Sequence, residues 1–383
     1  MDFTFTEEQI MLRETVKKFT ENEIKPRARE IDEKGKIPRE LIDQIADLGF
    51  LGISIPEEYG GSGFGEMGYC IMQDEISRGC ASTATFIGAH LSIGSTGIYL
   101  FGTEEQKQKY LVPLASGKKI GAFALTEPEA GSDAVRIRSV AKDNGDHYLL
   151  NGRKIWITNG SFADILTVLA RVEIDGVNHG VGAFIVESAW DGFKVGKIED
   201  KMGIKGSETA ELIFEDVVIP KENVLGRLGR GILHAMDILD VGRLGLGAAT
   251  LGAAKECIDL SVKFSKDRVQ FGQKIANMQA IQWMLADMAT DVYAMENMVY
   301  KTAWLCDQGK KFSRESAMVK LFCSEALDRI VDKALQIHGG MGYMHEYPIE
   351  RMYRDSRINR IFEGTNEIQR LVIARDVLKK GGF

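Results

Sequence analysis

A chain of 383 residues, 44% of them hydrophobic and 27% charged, holds enough apolar material for two or three cores and is too apolar to stay disordered. Its formal net charge of −7 gives no general attraction to nucleic acid or to an anionic membrane face, so any phosphate contact must be local. No run approaches the ~18 uninterrupted apolar residues of a spanning helix, and the start, MDFTFTEEQIMLRETVKKF, lacks the apolar block of a signal peptide. Cys70, Cys80, Cys257, Cys306 and Cys323 form no C-x-x-C pair and read as reduced thiols. A cytoplasmic location is therefore expected, with a mature mitochondrial matrix protein also compatible. The six histidines are scattered singly, so no protein-bound metal is expected.

Thr6-Glu7-Glu8-Gln9 is a capping box, and Leu12, Val16 and Phe19 follow it at helical spacing. Pro26 interrupts this helix, and Pro38 opens another whose face is Leu41, Ile42, Ile45 and Leu48, stopped by Gly49. Gly60 to Gly65 is glycine-rich, but no strand precedes it, so it reads as a plain loop rather than a phosphate cradle. Helical patterning returns from Met67 to Arg78, Thr85 to Leu100 reads as a buried helix, and Thr103 to Gln106 is a second capping signature. From Ser139 the period changes. Asn144-Gly145, Asn151-Gly152, Asn159-Gly160 and Asp175-Gly176 punctuate short β-rich runs, which predicts an antiparallel sandwich or barrel over about 121–222. Beyond Lys221 only Pro348 interrupts long helical patterns over 231–267, 278–307 and 313–337, a bundle. The predicted architecture is α+β, with an N-terminal helical domain (1–120), a β domain (121–222) and a C-terminal helical bundle (223–383). The lack of alternating βαβ units argues against a doubly wound nicotinamide enzyme.

Several stretches carry possible chemistry. Glu363, between Ile361-Phe362 and the turn cluster Gly364-Thr365-Asn366, reads either as a carboxylate raised in pKa by apolar surroundings, fit for a general base, or as an ordinary residue beside a helix start capped by Thr365 or Asn366. Trp156 and Thr158 share one side of a predicted strand, where an indole plane beside a hydroxyl suits a flavin or simply belongs to the core. Arg268 offers a donor fork for a diphosphate, or is a solvated charge. His338 before Gly339-Gly340 ends a helix.

Phe362 to Arg370, with Gln336-Ile337-His338-Gly339-Gly340-Met341-Gly342-Tyr343 and Arg268-Val269-Gln270-Phe271-Gly272 upstream, resembles the acyl-CoA dehydrogenase family, and the resemblance runs nearly the whole length. It implies FAD as cofactor, an acyl-CoA substrate desaturated to the trans-2-enoyl-CoA, and Glu363 as the base that removes the α-proton. That is the first oxidative step of fatty acid β-oxidation. It further implies a homotetramer that passes electrons to an electron-transferring flavoprotein. By the same resemblance Phe123, Leu125, Thr126, Gly131, Ser132, Trp156, Ile157, Thr158, Thr365, Asn366 and Glu367 lie against FAD. Arg268, Phe271, Gln279, Gln336, Ile337, His338, Gly339 and Gly340 also serve FAD, the first three reaching it from a neighbouring subunit. Ser132, Asp240, Val241, Gly242, Arg243 and Gly364 would contact the CoA thioester. Some relatives carry the base near Val241 and Gly242, and neither residue here competes with Glu363. The same fold is also compatible with an oxidase, an enoyl-CoA reductase or a flavin-binding homologue without turnover. The overall sequence leans towards short or branched acyl chains, with the pocket expected near His90-Leu91-Ser92 and Gly242.

Overall fold

The computed structural model describes residues 4–382. Both capping boxes form: Thr6 Oγ1 accepts from Gln9 N at the start of α1 (Glu7–Phe19), and Thr103 repeats the motif at α7 (Glu104–Gln106). Between them lie α2 (Ala28–Lys34), α3 (Arg39–Asp47), α4 (Gly65–Gly79), α5 (Ala81–Gly88) and α6 (Thr96–Phe101), and the short α8 (Val112–Ala115) follows. A π-type stretch, Ala89–Ser95, joins α5 to α6. Together these make one apolar run, Ala81–Phe101, long and apolar enough to cross a bilayer, yet 67% of its most apolar window is buried inside the fold, so it is the core helix that its composition predicts. Leu41, Ile42 and Ile45 are buried as expected, whereas Leu48 follows the end of α3 and is exposed.

The central sheet has the order β6-β7-β3-β2-β4-β5-β8, with β1 also on β4. Its strands are β1 (Gly121–Ala124), β2 (Val140–Asp143), β3 (His147–Thr158), β4 (Ile165–Ile174), β5 (Val177–Glu187), β6 (Phe193–Ile198), β7 (Thr209–Pro220) and β8 (Val224–Leu225). The sheet is mixed rather than wholly antiparallel. β1 and β2 both run parallel to β4, because the chain between β1 and β2 crosses from one end of β4 to the other: Gly121 pairs with Ile165 and Val140 with Arg171. Asn151-Gly152, expected to be a turn, lies inside β3. There the register against β7 shifts, and Asn151 exchanges hydrogen bonds with Asp216, whose φ is +52°.

The C-terminal helices are α9 (Gly231–Asp267), α10 (Gln279–Asp307), α11 (Ser313–His338), α12 (Ile349–Ser356) and α13 (Asn366–Lys380), with a hairpin of β9 (Val269–Gln270) and β10 (Gln273–Lys274) after α9. The three long helices start and stop within one residue of their predicted limits. Three buried apolar clusters result, one under the N-terminal helices, one inside the sheet around Phe184 and Phe214, and one in the bundle around Met288, Val299 and Ile330. Each fully buried Leu, Ile or Phe contributes about 1.5–3 kcal/mol relative to exposure. α9 packs against α4, α10 and α11, and its small residues Gly242, Gly245, Gly247, Ala248, Gly252 and Ala254 are all buried there.

Candidate active site

Glu363 is presented from the turn between α12 and α13, at φ +54°. A left-handed backbone at a non-glycine residue costs roughly 1–3 kcal/mol and persists only where surroundings impose it. They do so here. The Glu363 carbonyl accepts from Arg243 Nε (3.3 Å) and Gln369 Nε2 (3.4 Å), and Gln369 Nε2 also reaches Gly364 O at 3.0 Å. Arg243 is itself buried and paired with Asp240 at 2.7 Å, and Gln369 is fully buried on α13. Below the turn, the Lys320 ammonium on α11 donates to Asn366 Oδ1 at 2.8 Å.

The Glu363 Oε2 atom is buried without a hydrogen-bond partner. It can occupy that place because position 242 is glycine. A Cβ there would stand 2.6 Å from Oε2 and 2.8 Å from the Ile93 side chain. Loss of hydration pushes the carboxyl up to about 7, and Arg243 and Lys320 oppose that rise without cancelling it. Burial likewise lowers the Lys320 ammonium to about 7, against the pull of Glu363. The result is a carboxyl that is part-ionised near neutrality, desolvated and aimed at a helix face stripped of side chains, which is the condition of a general base.

A second group of residues gathers at the edge of the sheet. β3 bulges between Lys154 and Ile157, with Trp156 at φ +58°, and Ile155 N leaves β7 to donate to Thr126 O at 2.9 Å. Ile157 therefore turns into the sheet core, whereas Trp156 is 61% exposed and Thr158 partly exposed on the outer side. Phe123 and Leu125 are nearly buried, Thr126 partly exposed, and Gly131 and Ser132 exposed beyond the tight turn Glu127–Ala130. Lys154, fully buried, fastens this edge, donating to Leu125 O (3.0 Å) and Glu127 Oε1 (2.7 Å), and Glu127 in turn accepts from Ser139 N (3.0 Å) and from Arg138 N. An open indole plane flanked by two hydroxyls and a strand exit fits a flat aromatic cofactor such as a flavin.

A third group sits elsewhere. His338 Nδ1 bonds Ala334 O at 2.7 Å, and its ring stacks on Phe264 near the far end of α9. Ile337 belongs to the bundle core, while Gln336, Gly339, Gly340 and the hairpin residue Phe271, 94% exposed, face outward, as do Arg268 and Gln279. The 26 residues from Gly242 to Arg268 span about 39 Å of helix, so one chain does not bring this group to Glu363.

Some expectations need correction or addition. Trp156 and Thr158 lie on the same, more open side with Ile157 buried between them, as strand alternation predicts, and the bulge accounts instead for Lys154 and Ile157 both facing the core. Asn366 is consumed internally, its side chain fully buried and bonded to Lys320, Ser324 and Glu325. Thr365 caps α13 by accepting from Ile368 N, and Glu367 lies exposed in the first turn. His90 turns away from Gly242: Nδ1 accepts from Gly121 N at 2.9 Å, Nε2 lies 3.2 Å from Leu51 O and Leu114 O, and burial lowers its pKa to about 4. Lys154, Glu127, Lys320 and Gln369 carry no signal in the sequence, since neither a buried ion pair nor a side chain that bonds a distant turn has a spacing signature. A cavity of about 240 Å³ lined by Arg78, Cys80, Glu256, Arg351 and Asp355 contains none of the expected site residues.

Comparison with known proteins adds a direct result. The N-terminal, middle and C-terminal domain models of acyl-CoA dehydrogenase match residues 6–118, 122–217 and 229–378. This chain belongs to the acyl-CoA dehydrogenase family. Similar family members include the acryloyl-CoA reductase (NADH) of Anaerotignum propionicum, 48% identical over 99% of this chain and 97% of the relative. The short-chain-specific acyl-CoA dehydrogenase of Clostridium acetobutylicum is 43% identical over 99% and 100%. Among solved structures, a chain from one described as the electron transferring flavoprotein of Acidaminococcus fermentans is 46% identical with a TM-score of 0.96, over 99% of this chain and 100% of that one. The acyl-CoA dehydrogenase complexed with FAD from Bacillus anthracis is 44% identical with a TM-score of 0.93, over 98% of this chain and 68% of that one.

Proposed function

We propose that this family member is an FAD-dependent acyl-CoA dehydrogenase in which Glu363 takes the α-proton of an acyl-CoA thioester while the β-hydrogen leaves with its electron pair, giving the trans-2-enoyl-CoA. The observation that carries this reading is the unpartnered, desolvated Oε2 of Glu363 lying against the bare backbone of Gly242. FAD, when bound, supplies the acceptor for that hydride. Trp156, Thr126 and Thr158 would hold its ring system, with Phe123, Leu125, Gly131, Ile157, Thr365 and Glu367 around it and Asn366 fixing the turn behind. Among the described residues no acceptor lies on the Glu363 backbone N–H, which supports its use as a donor to the thioester oxygen as enolate charge develops. Ser132, Asp240, Val241, Arg243 and Gly364 would line the CoA path.

Arg268, Phe271, Gln279, Gln336, Ile337, His338, Gly339 and Gly340 serve the cofactor of a second copy in this reading, which calls for a homo-oligomer, a tetramer by family likeness. The division 1–120, 121–222 and 223–383 then places the base and the ring-holding edge in different domains. An electron-transferring flavoprotein is the acceptor we propose, supported by the Acidaminococcus relative. A cytoplasmic setting suits five free cysteines, four of them buried.

Anaerobic addition of butyryl-CoA to the FAD-loaded protein should bleach the yellow flavin, and Glu363→Gln should bind both partners yet bleach at least a thousandfold more slowly. Bleaching at the wild-type rate in that variant removes Glu363 from the role. The Anaerotignum relative favours a second reading, reduction of an enoyl-CoA, which predicts reoxidation of reduced protein by crotonyl-CoA faster than by electron-transferring flavoprotein.

A further inference from the structure

On α9, Gly242 and Gly245 lie one turn apart on the same face. A Cβ at Gly242 would meet the Glu363 carboxylate at 2.6 Å, and a Cβ at Gly245 would meet Tyr69 at 2.4 Å from both Cε1 and the phenol oxygen. The Tyr69 ring, on α4, is fully buried and is held from several sides. Its oxygen accepts from Gln73 Nε2 at 3.0 Å and is bonded to Ser92, and Gln73 is tied to Ala84 O at 3.1 Å. A Cβ at Gly88 would stand 3.3 Å from the same oxygen. Helices α4, α5 and α9 and the π-type stretch thus close around one rigid ring beside the proposed base.

We propose that Tyr69 is the wall that ends the acyl compartment, so that the substrates are short acyl-CoA thioesters of about four or five carbons. The inference rests on Glu363 acting at the α-carbon. Side chains three apart on a helix start about 5–6 Å from one another, which puts the ring no more than about 10 Å from Oε2. After a reacting distance of about 3 Å at the α-carbon and a contact distance of about 3.7 Å at the ring, at most roughly 3 Å remains, enough for two further carbons and at the limit a third. Because the phenol is pinned by Gln73 and Ser92 and its glycine neighbours leave it no gap to swing into, a longer chain would have to unseat all of these together.

The test is kcat/KM for butyryl-, hexanoyl- and octanoyl-CoA in wild type, Tyr69→Leu and Tyr69→Phe, each checked for FAD content. Wild type should lose at least tenfold from butyryl to octanoyl. Tyr69→Leu, which removes the ring but keeps an apolar core residue, should raise the octanoyl-to-butyryl ratio at least tenfold, while Tyr69→Phe keeps the ratio within twofold. An unchanged ratio in FAD-loaded Tyr69→Leu, or equal use of octanoyl-CoA by wild type, overturns the proposal. As a second readout that needs no variant, non-reactive alkyl thioethers of CoA titrated against wild type should gain about fourfold in affinity per buried methylene and stop gaining beyond five carbons. A gain continuing to eight overturns the wall even where turnover is slow. If no thioester of any length bleaches the flavin although the short thioethers bind and the plateau holds, the desaturation reading fails and Tyr69 still ends the ligand compartment.

Discussion

The ionisation of Glu363 connects burial to rate in a way that one titration tests. With its carboxyl raised to about 7 by desolvation, the fraction able to accept a proton is about a tenth at pH 6 and about nine-tenths at pH 8, and below pH 6 it falls tenfold per unit. An exposed glutamate, ordinarily near ~4.3, would leave the same window flat. The shift also has a thermodynamic sign. The native pKa lies above the unfolded one, so the folded protein binds more protons between about 4.5 and 7, and stability present below that window is lost as pH rises through it. A rise from 4.5 to about 7 corresponds to about 3 kcal/mol at ~1.36 kcal/mol per unit. Glu363→Gln, neutral at every pH, should therefore be up to about 3 kcal/mol more stable than wild type at pH 8 and no more stable at pH 4. Anaerobic rapid mixing with butyryl-CoA from pH 5.5 to 8.5, read as kcat/KM, and denaturant unfolding of both proteins at pH 8 would measure the two effects. A rate profile half-maximal below pH 5, or a variant no more stable at pH 8, would refute the link between desolvation and base strength.

Three other outcomes follow from single contacts. Gly242→Ala puts a methyl 2.6 Å from Glu363 Oε2 and 2.8 Å from Ile93, and should cut flavin reduction at least a hundredfold while circular dichroism stays native. Lys154→Met leaves Glu127 buried without its cation and should destabilise the protein by about 3–5 kcal/mol, with Lys154→Met/Glu127→Leu recovering most of it in denaturant titrations. Arg268→Ala should weaken FAD binding about 10–100-fold by fluorescence titration, the value of a charged hydrogen-bonding fork, without moving the acid limb of the rate profile.

Helix limits were legible because long stretches without proline keep one period, and capping boxes announce their own geometry. The mixed sheet was not. Parallel and antiparallel strands share the same alternation of side chains, so the pairing of β1 and β2 with β4 depends on how distant segments meet. Asn151-Gly152 shows the same gap on a smaller scale, since a dipeptide suited to a turn also suits a bulge when a partner such as Asp216 waits across the ladder. The turn at Glu363 was readable from Gly364-Thr365-Asn366. Its burial was not, because Arg243, Lys320 and Gln369 reach it from α9, α11 and α13. Nor does the helical pattern over 231–267 say that Gly242 admits a carboxylate and Gly245 a tyrosine.

The length of α9 explains why the remaining expected residues lie where they do. A helix of 37 residues is about 55 Å long, more than one extended dinucleotide cofactor needs to bridge, and it carries Gly242 near one end and Arg268 at the other. The base pocket belongs to the first end, and Phe271, His338 and Gly339 to the second. In the function proposed above, a cofactor seated at the first end would meet the second end only of a different copy. On that proposal each chain would lend its far end to a neighbour's site, and solitary chains should hold their flavin weakly even with Glu363, Thr126 and Trp156 intact. Dilution of the loaded protein below its assembly concentration should release flavin in step with dissociation, and retention of flavin by isolated chains would break this argument.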